Sequence, residues 1–446
     1  MRTVRTLLAA ACATAAVTAG VVAADAATGS THYTSTLPDG AAWIADVPEH
    51  PNGTTVLFSH GFGPLRPQNA PDPATHDALL DQGYALVGSS YSGPSDWALA
   101  TAVDDQFGAL AAAEAHTGKA KRVIAWGQSM GGLVSALEAE RGASRIHGAL
   151  TTCGLVAGGV SLNDYQLDGA YAISELLAAD QHVQLVRYAN PQQATTAANA
   201  LVEATKKAQN TAQGRARTAL AAAFYNAPTW FTGPTAPDPR DYAAQQRQQA
   251  AQLIQLVLPF TVTGRYQVEL AAGGNSAATA GVDYSALITR SPQYAQVTAL
   301  YRQAGLDLRA DLTRLTRRAD IKADPGAVRT LTATSTATGK LAVPELNIHT
   351  VADQLIPVEH EESYATRVRR AGSQDLLRQA FVQGSGHCAF QPAGYLAALR
   401  ALEYRLDTGS WADRTTPASL NAAAKAADLG AFSPYATFRP VPLTRG

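Results

Sequence analysis

The chain is short of charge and has almost no imbalance of it. Lys and Arg number 35 against 36 Asp and Glu, a formal net charge of −1, and charged residues are 16% of its 446 residues. Phosphate backbones and anionic membrane surfaces recruit a basic excess, so neither nucleic acid nor such a membrane is indicated as a partner. Long apolar runs are missing beyond the N-terminus, and no other segment is suited to span a bilayer. No period suggests a repeat protein. Cysteine is scarce, three residues in all, and Cys12 falls early in the N-terminal apolar run.

That run has the layout of a leader. Arg2 and Arg5 precede an alanine-rich apolar stretch from about Leu7 to Val22, and Ala24-Asp25-Ala26 offers an A-x-A cleavage site. The pattern predicts a signal peptide over residues 1–26, a mature start near Ala27 and export from the cell. A stable membrane anchor is the weaker reading, because the run is short and broken by threonines and glycine. Export leaves two thiols, Cys153 and Cys388, which most simply form one disulfide; two separate buried thiols are the alternative.

From Ala41 apolar strands alternate with amphipathic helices. TTVLFSHGFG reads as a buried strand running into a glycine loop, ALVGSSYSG as a second strand, KRVIAWGQS as a third and RIHGALTTCG as a fourth, with helices between them. This alternation predicts an α/β fold with a mostly parallel sheet covered by helices on both faces. The rhythm changes after Gly154. A region rich in Ala, Gln, Leu and Tyr at helical spacing follows, exemplified by YAAQQRQQAAQLIQLVL, and strands resume at VPELNIHTVAD. The expected organisation is core over residues 27–155, a helical cap inserted over 156–335, core again over 336–410, and an irregular C-terminal tail over 411–446. The glycine-rich GGNSAATAGVDYSAL inside the insertion has neither the spacing nor the lysine of a phosphate loop.

VIAWGQSMGGLVSALEAE places the pentapeptide Gly127-Gln128-Ser129-Met130-Gly131 between a strand and a helix. That is the context of a nucleophile elbow, a tight turn that lifts a hydroxyl above the sheet and leaves no room for side chains at Gly127 or Gly131. The helix N-terminus aimed at the same point favours developing negative charge. A serine needs a base, and histidine has a suitable pKa. His387, in the loop VQGSGHCAF after a late strand, is the candidate. His349 lies inside a strand and too early, while His32, His50, His76, His116, His147, His182 and His360 are expected to be solvated. His60 is expected to brace its own loop. Asp353, after strand ELNIHT, is the candidate acid that orients the base; it also suits a helix cap, and Glu359 and Glu361 are its rivals on the following helix. Backbone N–H groups of Met130 and of Phe62, in the loop His60-Gly61-Phe62-Gly63, are the candidate oxyanion donors.

HGFG, GQSMGG, VADQLIP and GSGHCAF, in this order, resemble the α/β-hydrolase superfamily, most closely secreted bacterial esterase- and lipase-like enzymes. The resemblance covers about residues 41–154 and 341–409. It implies an acyl-serine mechanism without metal or organic cofactor, a small-molecule ester substrate, and a cap where the insertion falls. Ser129 stands where epoxide hydrolases and dehalogenases carry aspartate, and HGFGP lacks the doubled glycine of proline-specific aminopeptidases. The leading expectation is a secreted hydrolase of esters of apolar or aromatic acids. A peptidase or amidase with the same triad is the alternative, using Asp164, Asp168 or Glu175 for a charged substrate end; a non-catalytic binding protein is a third. In the cap, Phe224, Tyr225, Trp230, Phe231, Leu256, Leu258 and Phe260 are candidate pocket residues, most of them expected to serve the cap's own core.

Overall fold

A computed structural model of the chain describes residues 20–25 and 29–445. The expected leader, residues 1–26, lies outside them except for Gly20–Asp25, the first strand. Ten strands are described: β1 Gly20–Asp25, β2 Ser30–Thr36, β3 Ala42–Pro48, β4 Thr54–Ser59, β5 Ala85–Ser89, β6 Arg122–Gln128, β7 Gly148–Thr152, β8 Glu345–Ala352, β9 Leu377–Ser385 and β10 Tyr435–Ala436. They form one sheet in the order β1-β2-β3-β5-β4-β6-β7-β8-β9-β10. Strands β4 to β9 pair in parallel, and β1, β2, β3 and β10 add antiparallel edges.

The central strands are apolar on both faces because helices cover both. In the core the helices are α1 Pro73–Asp81, α2 Ala102–Thr117 and α3 Met130–Arg141 before the insertion. The insertion holds α4 Gly159–Leu177, α5 Pro191–Ala208, α6 Ala212–Phe224, α7 Tyr242–Gln252, α8 Leu258–Ala272, α9 Tyr284–Ile288, α10 Tyr294–Gln303, α11 Leu308–Arg318 and α12 Pro325–Thr334. The chain then supplies α13 His360–Ala371, α14 Pro392–Thr408 and α15 Pro417–Ala426. Leu57, Val123 and Ala125 pack with α2, α3 and α13 on one face. Their strand neighbours Val56, Phe58, Ile124 and Trp126 pack with α1, α14 and α15 on the other. The period of two along each strand does this sorting. The architecture is the α/β-hydrolase fold.

Helices α4 to α11 bury a separate apolar cluster among themselves. Val268 and Ala272 of α8, with Ala327 and Leu331 of α12, instead join the cluster of the sheet and so seat the insertion on the core. Between α7 and α8 the helix widens to a π turn over Leu253–Val257, immediately before Pro259, which has no N–H to give.

The tail differs from the expectation of irregular chain. Thr416 caps α15 by accepting from the Ser419 N–H, and Pro417 stands at the first helical position, where its missing N–H costs nothing. Beyond it, β10 pairs with β9, with Asn421 bonding both the N–H and the carbonyl of Tyr435.

A buried polar chain runs from α3 over β7 and β8 to α13. The Ser135 and Thr151 hydroxyls meet at 2.9 Å, Thr151 donates to Glu345 Oε1 at 2.8 Å, and Tyr364 donates to Oε2 at 2.7 Å. Burial pushes the Glu345 carboxyl up from an ordinary 4.5 to about 8, against the two hydrogen bonds it accepts. The unfolded chain gives up this proton at lower pH than the folded one, so the contribution of Glu345 to stability falls as pH rises from about 4.5 to about 8. Glu345→Gln is expected to flatten that part of the profile. Denaturation midpoints from about pH 4 to about pH 9 check it, and an unchanged slope would place the titration elsewhere.

Candidate active site

Ser129 sits between β6 and α3 with φ 58° and ψ −119°, a conformation that costs a non-glycine residue about 1–3 kcal/mol and persists only when its surroundings hold it. The hold is close packing of backbone. A Cβ at Gly127 would lie 1.7 Å from the Gly131 carbonyl oxygen, and one at Gly131 would lie 1.9 Å from the Ser59 carbonyl oxygen. Gly132 meets the Gly154 backbone at 2.6 Å in the same sense. The Ser129 N–H donates to Thr152 O at 3.0 Å, tying the turn to the end of β7.

The loop after β9 brings His387 Nε2 to 2.8 Å from Ser129 Oγ. Its Nδ1 lies 2.8 Å and 3.0 Å from the two oxygens of Asp353. Asp353 is fully buried at the end of β8, and its Oδ1 also accepts from the N–H groups of Leu355 and Ile356 at 3.0 and 2.9 Å. The carboxylate thus caps the local turn and orients the imidazole at once. The rival acid Glu361 is occupied elsewhere, bonding Asn347, His349 and Gln379. Of the three acids, Asp353 is the one bonded to His387.

Behind Asp353 stands a residue that sequence reasoning set aside. His349 is fully buried, with Nδ1 3.0 Å from Glu361 Oε1, Nε2 2.8 Å from Ile356 O, and Nε2 3.6 Å from Asp353 Oδ2. Burial works against its charge, but the hydrogen bond and charge of Glu361 and the charge of Asp353 outweigh it and raise its pKa. His360, expected to be solvated, is also fully buried: the first turn of α13 lies under α4, with Nδ1 accepting from Ala157 N–H and Nε2 facing Tyr165 OH. Burial drives its pKa well below the ordinary value.

The glycine loop after β4 runs against the serine. A Cβ at Gly61 would be 3.2 Å from Ser129 Cβ, so a larger residue there would crowd it. His60 braces this loop: Nδ1 meets Gly61 O at 2.8 Å, the ring stacks on Tyr91 at 4.2 Å, and Tyr91 OH donates to His60 O. Phe62 shares a cleft with Ser129 and His387. Met130 opens α3, and N–H groups in a first helical turn have no acceptor within the helix.

Cys153 and Cys388 are joined, with Cα atoms 5.3 Å apart across 235 residues of sequence. The bond fastens the His387 loop to the segment after β7, one residue from Ser129's own hydrogen-bond partner. Cys153, His387 and Cys388 place possible ligand atoms within 4.8 Å of one another. Both sulfurs are consumed in the disulfide, so the trio offers a metal the imidazole alone.

The cleft is narrow, with a cavity volume of about 40 Å³. Phe62, Trp97, Leu155, Leu162, Leu355 and Ile356 wall it from the core side, and α8 covers it with Phe260, Thr261, Gly264, Arg265 and Val268. The Phe62 ring packs edge-on against Phe260 at 5.6 Å. Of the cap aromatics and leucines singled out from sequence, Phe260 lines this cleft, while Phe224, Tyr225 and Leu258 are buried in the cap's own core. The acids proposed for a charged substrate end are engaged: Asp164 and Asp168 hold Arg445 of the chain's end, and Glu175 pairs with Arg314 and Arg318. Sequence reasoning passed over Arg265, because nothing in its neighbourhood separates it from other helical arginines.

No protein-family model matches the chain. The o-phthalyl amidase of Xanthobacter agilis is 28% identical over 419 aligned residues, covering 88% of this chain and 91% of that protein. Among solved structures, the rice cell wall degrading esterase LipA of Xanthomonas oryzae is similar over 84% of this chain and 87% of its own, at 12% identity and a TM-score of 0.38. Feruloyl esterase B from Aspergillus oryzae is similar over 85% and 82%, at 13% identity and a TM-score of 0.43. Structural scores of that size carry no argument about activity.

Removing the disulfide with Cys153→Ser and Cys388→Ser together is expected to lower stability by about 2–5 kcal/mol, since it restrains a long loop of the unfolded chain. Because the same bond holds the His387 loop, turnover should fall at temperatures where the variant is still folded. Paired melting and activity curves check this, and a variant that melts lower yet works normally would limit the bond to stability.

Proposed function

We propose that this chain is an exported serine hydrolase that cleaves an ester or amide bond to an aromatic or apolar acyl group. The observation that carries the reading is the hydrogen-bonded series Ser129, His387, Asp353 opening onto an aromatic-walled cleft. The relative matched along its length, named an amidase, supports hydrolysis and brings amides level with esters. Both bonds pass through one chemistry. His387 Nε2 takes the Ser129 proton as Oγ attacks the carbonyl carbon, and N–H groups of Phe62 and Met130 receive the oxygen as it becomes negative. The imidazolium, stabilised by Asp353, gives its proton to the departing amine or alkoxide. Water, deprotonated by His387, then attacks the acyl-serine and releases the acid.

With Asp164, Asp168 and Glu175 paired to arginines, the cleft holds no acid for a peptide's amino end. Export rests on the leader pattern of residues 1–26 together with a disulfide in the mature part. No helix among the described residues is long and apolar enough to cross a membrane.

Purified protein should turn over p-nitrophenyl esters and 4-nitroanilides, with benzoyl groups favoured over long alkyl chains by the small cleft. Ser129→Ala should cost on the order of 10⁶ in kcat, and Asp353→Asn on the order of 10⁴ with the fold intact. Initial rates on matched ester and anilide pairs measure both effects. Retained turnover in Ser129→Ala would sink the mechanism.

A further inference from the structure

Apart from His387, the cleft beside Ser129 has a single wall residue that carries charge, Arg265 of α8. Arg265 is 5% exposed. One nitrogen, Nη2, donates to Asn163 O of α4 at 3.0 Å, a bond that fixes the head of the side chain across the cap. A guanidinium carries five N–H donors, and no carboxylate among the described residues comes within ion-pair distance of this one.

The acids that would serve are taken. Glu269, one turn along α8 and the natural partner for position 265, accepts from the backbone N–H groups of Arg187 and Tyr188 at 2.8 and 3.2 Å. Asp164, the other nearby carboxylate, holds Arg445 and the Ala278 N–H. Arg265 lines the cleft, and one of its five donors is spent on Asn163. No carboxylate among the described residues sits at contact distance, so the charge of Arg265 is met within the chain only at longer range, by Asp164, and the remaining wall is largely apolar or aromatic.

We infer that Arg265 is the specificity-determining residue for a substrate whose aromatic acyl group bears a second, ionised carboxylate beside the carbonyl under attack. The inference rests on the hydrolytic reading of the same cleft. Phe62, Trp97 and Phe260 enclose the ring, Ser129 meets one carbonyl, and the fork of Arg265 receives the free carboxylate through charge-assisted hydrogen bonds. The substrate class is the monoamides and monoesters of aromatic dicarboxylic acids, and the product is the diacid.

The test compares kcat/KM for the 4-nitroanilides of benzoic acid and of 2-, 3- and 4-carboxybenzoic acid. For wild type, the best carboxylated isomer should exceed the benzoyl compound by about 10–100-fold, the size of charge-assisted hydrogen bonding. Arg265→Met should bring that ratio to about one or below, and Arg265→Lys should keep part of it. A wild-type ratio near one for all three isomers overturns the inference and leaves the hydrolytic reading standing. So does an undiminished ratio in Arg265→Met. Should that variant fail to fold, the wild-type ratio and Arg265→Lys still decide. If wild type cleaves none of the four, the hydrolytic reading fails, and calorimetric titration with benzoate and the three benzenedicarboxylates decides the anion site. Tighter binding of a dicarboxylate upholds it; equal or absent binding overturns it.

Discussion

A carboxylate with no access to water organises the centre of this molecule. Asp353 lies at the end of β8 and is fully buried, so its charge must be met by donors within the protein. Two come from its own turn, the N–H groups of Leu355 and Ile356, and one from His387 Nδ1. His349 Nε2 faces Asp353 from behind at 3.6 Å, and Glu361 holds His349 in turn. Each donor belongs to a different structural commitment. The turn sets the direction of the chain after β8, the imidazole fixes the loop after β9, and His349 joins both to the first turn of α13. Moving the carboxylate would strand a buried charge, so the ring of His387 stays aimed at Ser129.

The opposite side of the same contact is held by packing of backbone on backbone. Gly127, Gly131 and Gly132 let α3 start within contact of β4 and of the segment after β7, which leaves Ser129 no relaxed conformation to enter. The disulfide then bridges these two supports, because Cys153 follows the strand that receives the Ser129 N–H and Cys388 follows His387 directly. Strain at Ser129 and the position of His387 are therefore referred to one frame.

Much of this was legible in sequence. Gly127-Gln128-Ser129-Met130-Gly131 sits in strand and helix signals that leave few alternatives, and the run of apolar strands gave the parallel sheet. The order Ser129, Asp353, His387 matches the order in which the strands deliver their loops. What escaped was whatever depends on a partner distant in sequence. His360 reads as a polar residue on a charged helix, yet α4 folds over that turn and buries it. The tail reads as proline-broken coil, but Thr416-Pro417 is a helix start and β10 is fixed by a strand some fifty residues earlier. Asp164 and Asp168 look available for a ligand until Arg445, at the far end of the chain, occupies them.

The same distinction separates reaction from selection. Ser129, His387 and Asp353 lie on strand ends of the sheet, where local spacing fixes geometry and a short motif carries it. On the proposed reading selection falls to α8, whose Phe260, Gly264 and Arg265 line the cleft while its Val268 and Ala272 pack on the core. A Cβ added at Gly264 would meet the Phe62 ring at 3.5 Å, an ordinary contact, so α8 lies against the loop that carries Phe62. On the proposed reading substrate choice depends on how this helix of the insertion is placed over the core, where Glu269 accepts from the backbone N–H groups of Arg187 and Tyr188 and Asp164 pairs with Arg445. Arg265, with no carboxylate of the described residues at ion-pair distance, is the position where the proposed reading lets a substrate supply one.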